Sequence, residues 1–403
     1  MSDQSILIVT RHYAPEPTGS APVMAEMAEW LARSGRPVSV LTVRPSYPAR
    51  SITPGYELGQ YDDAVEKGVA VRRLATTPPS SDQLLARTWP ELRFLLDLLV
   101  GRMSGKIAPR AQVVSLCPSI LTVAGALFLV KRGGKHVAVV HDIPSGLGAA
   151  LGLGETSIAT RLIRVVESLV LNRVDHVVTL SESMAAQLRG MGIDKPITVL
   201  PPHVDTEHIR PLPRPRGAPP TVMYSGNLGR KQGLDQLVDL AKVLQTRAPH
   251  VRVLIKGDGA GKAPLLARVT EEKLTNVQFE PLAPVAQLAA SLAEGDVHVV
   301  PQLAAGAEFA LPSKIFAIMA AGRPLVATAS SGSPLERLAS ESGAFICAPL
   351  DDAEAFATAV LALLDDPAKC KALAKTARAY VEANASTDVC MSRMSAVLTG
   401  APD

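Results

Sequence analysis

Cations beside glycines, at points where a strand hands over to a helix, are the chemistry this sequence advertises most clearly. The run Tyr224-Ser225-Gly226-Asn227-Leu228-Gly229-Arg230-Lys231-Gln232-Gly233 places Arg230 and Lys231 among three glycines. Glycines let the backbone approach a ligand closely, and the two cations can neutralise a diphosphate. The spacing is not that of a Walker loop, because no Ser or Thr follows the lysine where that motif needs it. A second anion site is expected around Leu311-Pro312-Ser313-Lys314. Proline suits a first helical turn, whose N–H groups are unpaired, and Ser313 and Lys314 add a hydroxyl and an ammonium at the positive end of the helix dipole.

Weaker signals surround these two. The loop Arg11 to Ser20, containing Tyr13, Glu16, Thr18 and Gly19, leaves one strand and enters a helix. It reads equally well as a plain turn or as a place where hydroxyls or anions sit. His141-Asp142 ends another strand, so the imidazole is either a site group or a satisfied structural histidine. Lys256-Gly257-Asp258-Gly259 by itself says only that the chain turns.

The elements that must position these residues alternate along all 403 residues. Apolar, β-branched runs at 6–10, 38–42, 113–116, 137–140, 177–180 and 197–200 read as strands. Helical stretches at 21–34, 89–103, 119–131, 158–173 and 182–191 lie between them, and residues 44–88 form a polar excursion with a short hairpin. The segment Trp89–Met103 is apolar enough to be either core or a membrane-facing patch. After a proline-rich break at 201–220 the alternation restarts, with strands at 222–225, 251–256, 277–280, 297–301, 325–329 and 345–347. Helices are expected at 233–245, 262–273, 285–292, 313–320, 352–365 and 367–384. The expected organisation is two Rossmann-like α/β domains, 1–203 and 221–385, facing a central cleft. Residues 204–220 would be the linker, and 386–403 a tail that packs back on the first domain.

Composition narrows the class. Formal net charge is +3 and charged residues make up 20%, which argues against nucleic acid as a partner. Hydrophobic residues make up 47%, ample for two cores. The four cysteines have no metal-ligand spacing and fit a reducing cytoplasm. No signal peptide is read at the start, and the longest apolar run, 120–130, is too short to span a bilayer, so membrane contact would be peripheral.

Taken together, five segments resemble family 4 retaining glycosyltransferases of the GT-B fold, in particular the colanic-acid, exopolysaccharide and O-antigen type. They are 13–19 with 29–32 and 45–48; 180–184 with 200–205; 226–233; 257–259; and 311–324. The resemblance implies a UDP- or GDP-sugar donor, a polyprenyl-linked glycan acceptor on the cytoplasmic face of the inner membrane, and no required cofactor or metal. It implies that His141 and Glu308 lie against the transferred sugar, and that Lys231, Arg230, Asn227, Gly19, Leu311, Ser313 and Lys314 hold the diphosphate. Gly257, Asp258, Gly259 and Leu282 would lie near the nucleobase, and Tyr13, Glu16 and Thr18 near the acceptor. Two positions depart from the family pattern. Asn227 stands where an arginine is usual, and Ala317 replaces the acid that typically holds ribose, so ribose recognition would come from elsewhere. Two other readings remain at this point. One is a sugar-nucleotide epimerase using Glu16 and Asp142, the other an inactive sugar-nucleotide-binding partner.

Overall fold

The computed structural model describes residues 4–17, 20–47, 49–78, 84–117, 119–143, 158–229, 232–303 and 311–400. The chain forms two compact units, one of residues 1–200 and 391–403, the other of residues 201–390.

The first unit is built on an eight-stranded sheet. Its strands are β1 (Ile6–Val9), β2 (Val38–Val43), β3 (Asp63–Glu66), β4 (Val69–Leu74), β5 (Arg110–Cys117), β6 (Val130–Val140), β7 (His176–Thr179) and β8 (Ile197–Val199). Their order is β3-β4-β2-β1-β5-β6-β7-β8, parallel throughout except for the β3–β4 hairpin. Central strands such as β1 are buried on both faces, which is why they are unbroken apolar runs. The helices are α1 (Ala21–Arg33), α2 (Leu84–Met103), α3 (Ile120–Leu127), α4 (Ile158–Leu171) and α5 (Glu182–Gly190). The strand order runs one way from β1 through β2 to the β3–β4 hairpin, and the other way from β4 through β5, β6 and β7 to β8. Right-handed crossovers therefore put α2, α3, α4 and α5 on one face and α1 on the other. The helix expected over 119–131 is shorter than its apolar content suggests. It stops at Leu127, and Val130 already pairs with Arg110 as the start of β6.

The second unit has a six-stranded, fully parallel sheet. Its strands are β9 (Thr221–Ser225), β10 (Arg252–Lys256), β11 (Val277–Glu280), β12 (Val297–Val300), β13 (Leu325–Ala329) and β14 (Ile346–Pro349). The order is β11-β10-β9-β12-β13-β14. From β9 the chain winds outward to β10 and β11, then returns to β12 on the other side, so the topological switch lies between β9 and β12. The helices are α6 (Asp235–Arg247), α7 (Lys262–Glu271), α8 (Leu288–Leu292, after a 3-10 turn), α9 (Lys314–Ala320), α10 (Pro334–Ser342), α11 (Ala353–Leu364) and α12 (Pro367–Asn384).

Two stretches differ from the sequence expectation. Residues 204–220 pack as part of the second unit rather than standing apart as a linker. A proline-rich segment has carbonyls that no ladder satisfies. Arginines supply the donors here: Arg378 donates to the carbonyls of Thr206, Ile209 and Ala320, and Arg323 to that of Leu212. Arg214 pairs with Asp296 at 2.9 Å. Residues expected as a tail contain a helix, α13 (Thr387–Thr399), whose residues from Met391 onward belong to the first unit. Cys390, Met391, Met394 and Leu398 recur at helical spacing and are buried, which gives the tail an apolar face to bury.

Candidate donor site

The second unit carries a cavity of about 470 Å³ where a parallel sheet would hold a ligand. Ser225, the last residue of β9, with Gly226 and Asn227 after it, forms part of its wall, and so do Pro301, Gln302 and Leu303, just after β12. Both sets lie outside the carboxyl ends of the strands that flank the switch point. Leu282, Leu288 and Leu292 line another part, and Pro312, Ser313, Lys314, Ala317 and Ile318 bring α9 to it. The lining is thus largely apolar, with its polar groups gathered near Lys314.

Lys314 is held, not loose. Its Nζ donates to the Tyr224 hydroxyl at 2.8 Å and to Gln232 Oε1 at 3.1 Å, and lies 4.2 Å from the centre of the Tyr224 ring. Tyr224 is buried and its hydroxyl donates to the Asn227 carbonyl at 2.8 Å, so one phenol ties the turn to the ammonium. Burial raises the phenol's pKa, keeping it neutral, and lowers that of Lys314 to about 8. The loss of hydration is the cause, and no carboxylate among the described residues offsets it. A cation that is poorly solvated and has no anionic partner gains the most from an incoming phosphate.

The glycines make room for this arrangement. Gly226 has φ +147°, and a Cβ there would sit 3.1 Å from Lys314 Nζ. Gly257 lies behind the turn, where a Cβ would come within 2.2 Å of the Gly226 carbonyl oxygen. The backbone of 226–228 is stitched to that of 256–261 by Gly226 N–H to Lys256 O, Leu228 N–H to Asp258 O and Gly261 N–H to Leu228 O. The segment Gly257-Asp258-Gly259 therefore supports the wall, with Asp258 exposed beside Lys262. Of the residues expected near the nucleobase, Leu282 is in the lining.

The helix start differs in detail from expectation. Helix α9 begins at Lys314 and has only seven residues, and Pro312 precedes its N-cap, Ser313. The Pro312 carbonyl accepts from Ile315 N–H, so proline closes the turn before the helix rather than occupying its first turn. A helix this short adds little dipole, which leaves the ammonium as the main source of positive potential. Leu311 packs against the apolar cluster around Ile315 and Phe316 rather than lining the cavity. Arg230, Lys231 and Glu308 lie outside the described residues, as do Thr18 and Gly19.

In the first unit, Glu16 is a structural anchor. It is buried; Oε1 accepts from Ser46 and Tyr47 N–H at 2.9 Å each, and Oε2 meets His12 Nδ1 at 2.7 Å. Burial would raise this carboxyl, but the hydrogen bond and charge of His12 and the two backbone donors outweigh it and hold the pKa below the usual range. Both oxygens are thus engaged in fixing the loop. Tyr13 is likewise buried, its phenol pushed up by burial and then by Glu29 and Glu66. Arg73, which no local pattern singles out, is fully buried beneath this loop. It pairs with Glu66 at 2.8 Å and donates to the carbonyls of Ala14 and Tyr61. His141 stands partly exposed just past β6, its N–H donating to the Cys117 carbonyl at 3.1 Å.

Two doubly wound parallel sheets, the second with a cation-lined cavity at its switch point, are the architecture of GT-B glycosyltransferases. Solved structures agree on the fold. Sucrose-phosphate synthase from Thermosynechococcus elongatus superposes with a TM-score of 0.76 at 20% identity, over 98% of each chain. HepE from Anabaena, in complex with UDP, superposes with a TM-score of 0.72 at 14% identity, over 98% of this chain and all of the other. In sequence, residues 18–203 match the glycosyl transferase 4-like domain, and residues 219–366 match glycosyl transferases group 1. The chain is 30% identical to WcaI of Escherichia coli K12, described as a colanic acid biosynthesis glycosyl transferase, over 88% of this chain and 91% of that one. The protein belongs to the family 4 glycosyltransferases of the GT-B fold.

Proposed function

We propose that the protein moves a sugar from a UDP- or GDP-sugar to a hydroxyl of a polyprenyl-diphosphate-linked glycan, in the assembly of a bacterial surface polysaccharide, with retention at the anomeric carbon. One observation carries the donor assignment. An ammonium with no carboxylate partner among the described residues is held by Tyr224 and Gln232 in the wall of a cavity of about 470 Å³ at the sheet's switch point. The solved HepE complex holds UDP on the same fold, and the WcaI name supports a polysaccharide product.

The chemistry follows from the charge that develops. As the glycosidic bond to the donor breaks, negative charge grows on the departing diphosphate, and cations already fixed in a poorly hydrated wall stabilise it without reorganising. Lys314 fills that role, joined by Lys231 and Arg230. The apolar leucines beside it, with Ala317 and Ile318, take the nucleoside. His141 and Glu308 contact the transferred sugar, and the first unit takes the acceptor. The leaving diphosphate accepts the proton of the attacking hydroxyl on the same face, so retention needs no carboxylate nucleophile, unlike a retaining glycosidase.

Incubation with a panel of UDP- and GDP-sugars, with and without lipid-linked acceptor, tests the reading. The expected result is nucleotide release that depends on acceptor. Isomerised donor in the absence of acceptor, or binding without turnover on any acceptor, contradicts it. Replacing Lys231 with Ala is expected to lower kcat/KM by roughly 10²-fold.

A further inference from the structure

The carboxyl end of β1 lies at the switch point of the first sheet, because the chain leaves β1 for β2 on one side and returns to β5 on the other. His12 stands in the loop just past that strand end. Its backbone is pinned. Thr10, fully buried, donates its hydroxyl to the His12 carbonyl at 2.9 Å and accepts from the His12 N–H at 3.2 Å. The ring is pinned as well, its Nδ1 lying 2.7 Å from Oε2 of the buried Glu16. Glu16 is held ionised, with its pKa below the usual range, and a carboxylate can only accept hydrogen bonds. Nδ1 therefore carries a proton, and in the neutral ring the lone pair is left on Nε2. Nε2 has no hydrogen-bond partner among the described residues, and the side chain is 33% exposed.

The same carboxylate fixes a second group. Its Oε1 accepts from Ser46 and Tyr47 N–H, which sets the backbone that carries the Tyr47 ring. That ring is 49% exposed and meets the His12 ring edge-on, with centroids 5.6 Å apart and planes at 70°. A fixed lone pair beside a half-open aromatic ring suits a ligand with O–H donors on an apolar frame. A sugar has that form, with hydroxyls around its rim and C–H groups on its faces. An anion does not suit the place, because the lone pair and the Glu16 carboxylate both repel it, and the adjacent cation, Arg11, is paired with Glu91 at 3.5 Å. We infer that His12 and Tyr47 form a binding site for the acceptor sugar, with Nε2 accepting from a sugar hydroxyl and the phenol ring packing on the sugar's C–H face. Glu16 is the positioning residue, setting the tautomer of one side chain and the place of the other. The hydroxyl held is a neighbour of the attacking one, whose proton goes to the departing diphosphate.

The inference rests on the reading that the first unit takes the acceptor. Its test reads the ring itself, by imidazole nitrogen–proton correlation spectra of the isotope-labelled full chain at pH 8. The His12 signals are those that vanish in His12→Phe. The probes are the methyl glycosides of glucose, galactose, mannose and fucose. The free protein is expected to carry its ring proton on Nδ1, and the Nε2 resonance to shift saturably with at least one glycoside. Glu16→Gln lets an amide donate to Nδ1, which moves the ring proton to Nε2 and removes the lone pair while the ring stays. That variant and Tyr47→Ala are each expected to bind the glycoside about tenfold more weakly, with UDP affinity unchanged and melting still cooperative. A free ring protonated only on Nε2, an Nε2 signal indifferent to every glycoside, or variants that bind glycoside as the wild type does overturns the inference. Turnover separates the two failures. Acceptor-dependent nucleotide release with a silent Nε2 overturns the sugar site and keeps the transferase reading. A glycoside-induced Nε2 shift without turnover on any acceptor keeps the site and overturns that reading.

Discussion

Replacing Lys314 with Met should make the protein more stable and worse at binding its donor. Unfolded, a lysine holds its proton to about pH 10.5; in the cavity wall Lys314 holds it only to about 8. Between those values the unfolded state binds more proton than the folded one, so stability rises with pH there, and below pH 8 the full burial penalty applies. At 1.36 kcal/mol per pKa unit the penalty is about 3 kcal/mol at neutral pH. Methionine fills much the same space with no charge to desolvate. It forfeits the bonds to Gln232 Oε1 and to the Tyr224 hydroxyl, a loss of about 2 kcal/mol together, while the Tyr224 O–H keeps Asn227 as its acceptor. The net expectation is a gain of about 1 kcal/mol near pH 7, or roughly 2–4 °C in the melting temperature of a domain this size. The gain should shrink as pH rises from 8 towards 10.5. In the same variant, UDP binding loses a charge-assisted contact of about 1.5–3 kcal/mol, a weakening of roughly 10- to 100-fold. Calorimetric melting at several pH values, with titration of UDP, measures both. A variant less stable than wild type at pH 7 refutes the claim that the ammonium is held at a desolvation cost, and unchanged UDP affinity refutes its contact with phosphate.

Three further outcomes follow from the same geometry. UDP affinity should fall as pH rises above about 8, with binding taking up a proton, because the free site loses its charge there while the nucleotide requires it; titrations in two buffers of different ionisation enthalpy report that uptake, and a flat profile through pH 9 contradicts it. Gly257→Ala should destabilise the second unit by about 2–3 kcal/mol, since its Cβ would meet the Gly226 carbonyl oxygen. Gly226→Ala, strained at φ +147° and aimed at the Lys314 ammonium, should lower both the denaturation midpoint and UDP affinity, and an unchanged UDP affinity counts against this. Glu16→Gln should destabilise the first unit by about 1–3 kcal/mol at pH 7. Its folded pKa is lowered, so that stability is present above the ordinary carboxylate pKa and lost as pH falls through the folded value; the difference from wild type should close in acid, and a gap that persists there refutes the ionic role.

Much of this was legible in the sequence because apolar runs and breaks report buried parallel strands directly. The β-branched runs at 222–225, 277–280 and 325–329 lie in strands β9, β11 and β13. What escaped was set by contacts between distant residues. Helix α10 is not among the expected elements, although Ser333-Pro334 with Glu336 carries its signature: Ser333 Oγ accepts from Glu336 N–H, and Gly343 at φ +59° ends the helix. The tail helix also had its signal, in the spacing of Cys390, Met394 and Leu398. Lys314 was found from its place beside a helix start, but its binding to Tyr224, ninety positions earlier, depends on β9 and α9 meeting at the switch point. No local pattern encodes that pairing. The anchoring of Glu16 is hidden from local pattern for the same reason, since the backbone donors that occupy it come from residues 46 and 47.

The central claim is that a nucleoside diphosphate sits against Lys314. Trace labelling with acetic anhydride near pH 8, read by mass spectrometry of the Lys314 peptide with and without UDP, tests it most directly. A lysine with this lowered pKa, lining an open cavity, should label readily in the free protein and be protected by saturating UDP. Labelling of Lys314 that is the same with and without saturating nucleotide would contradict the account.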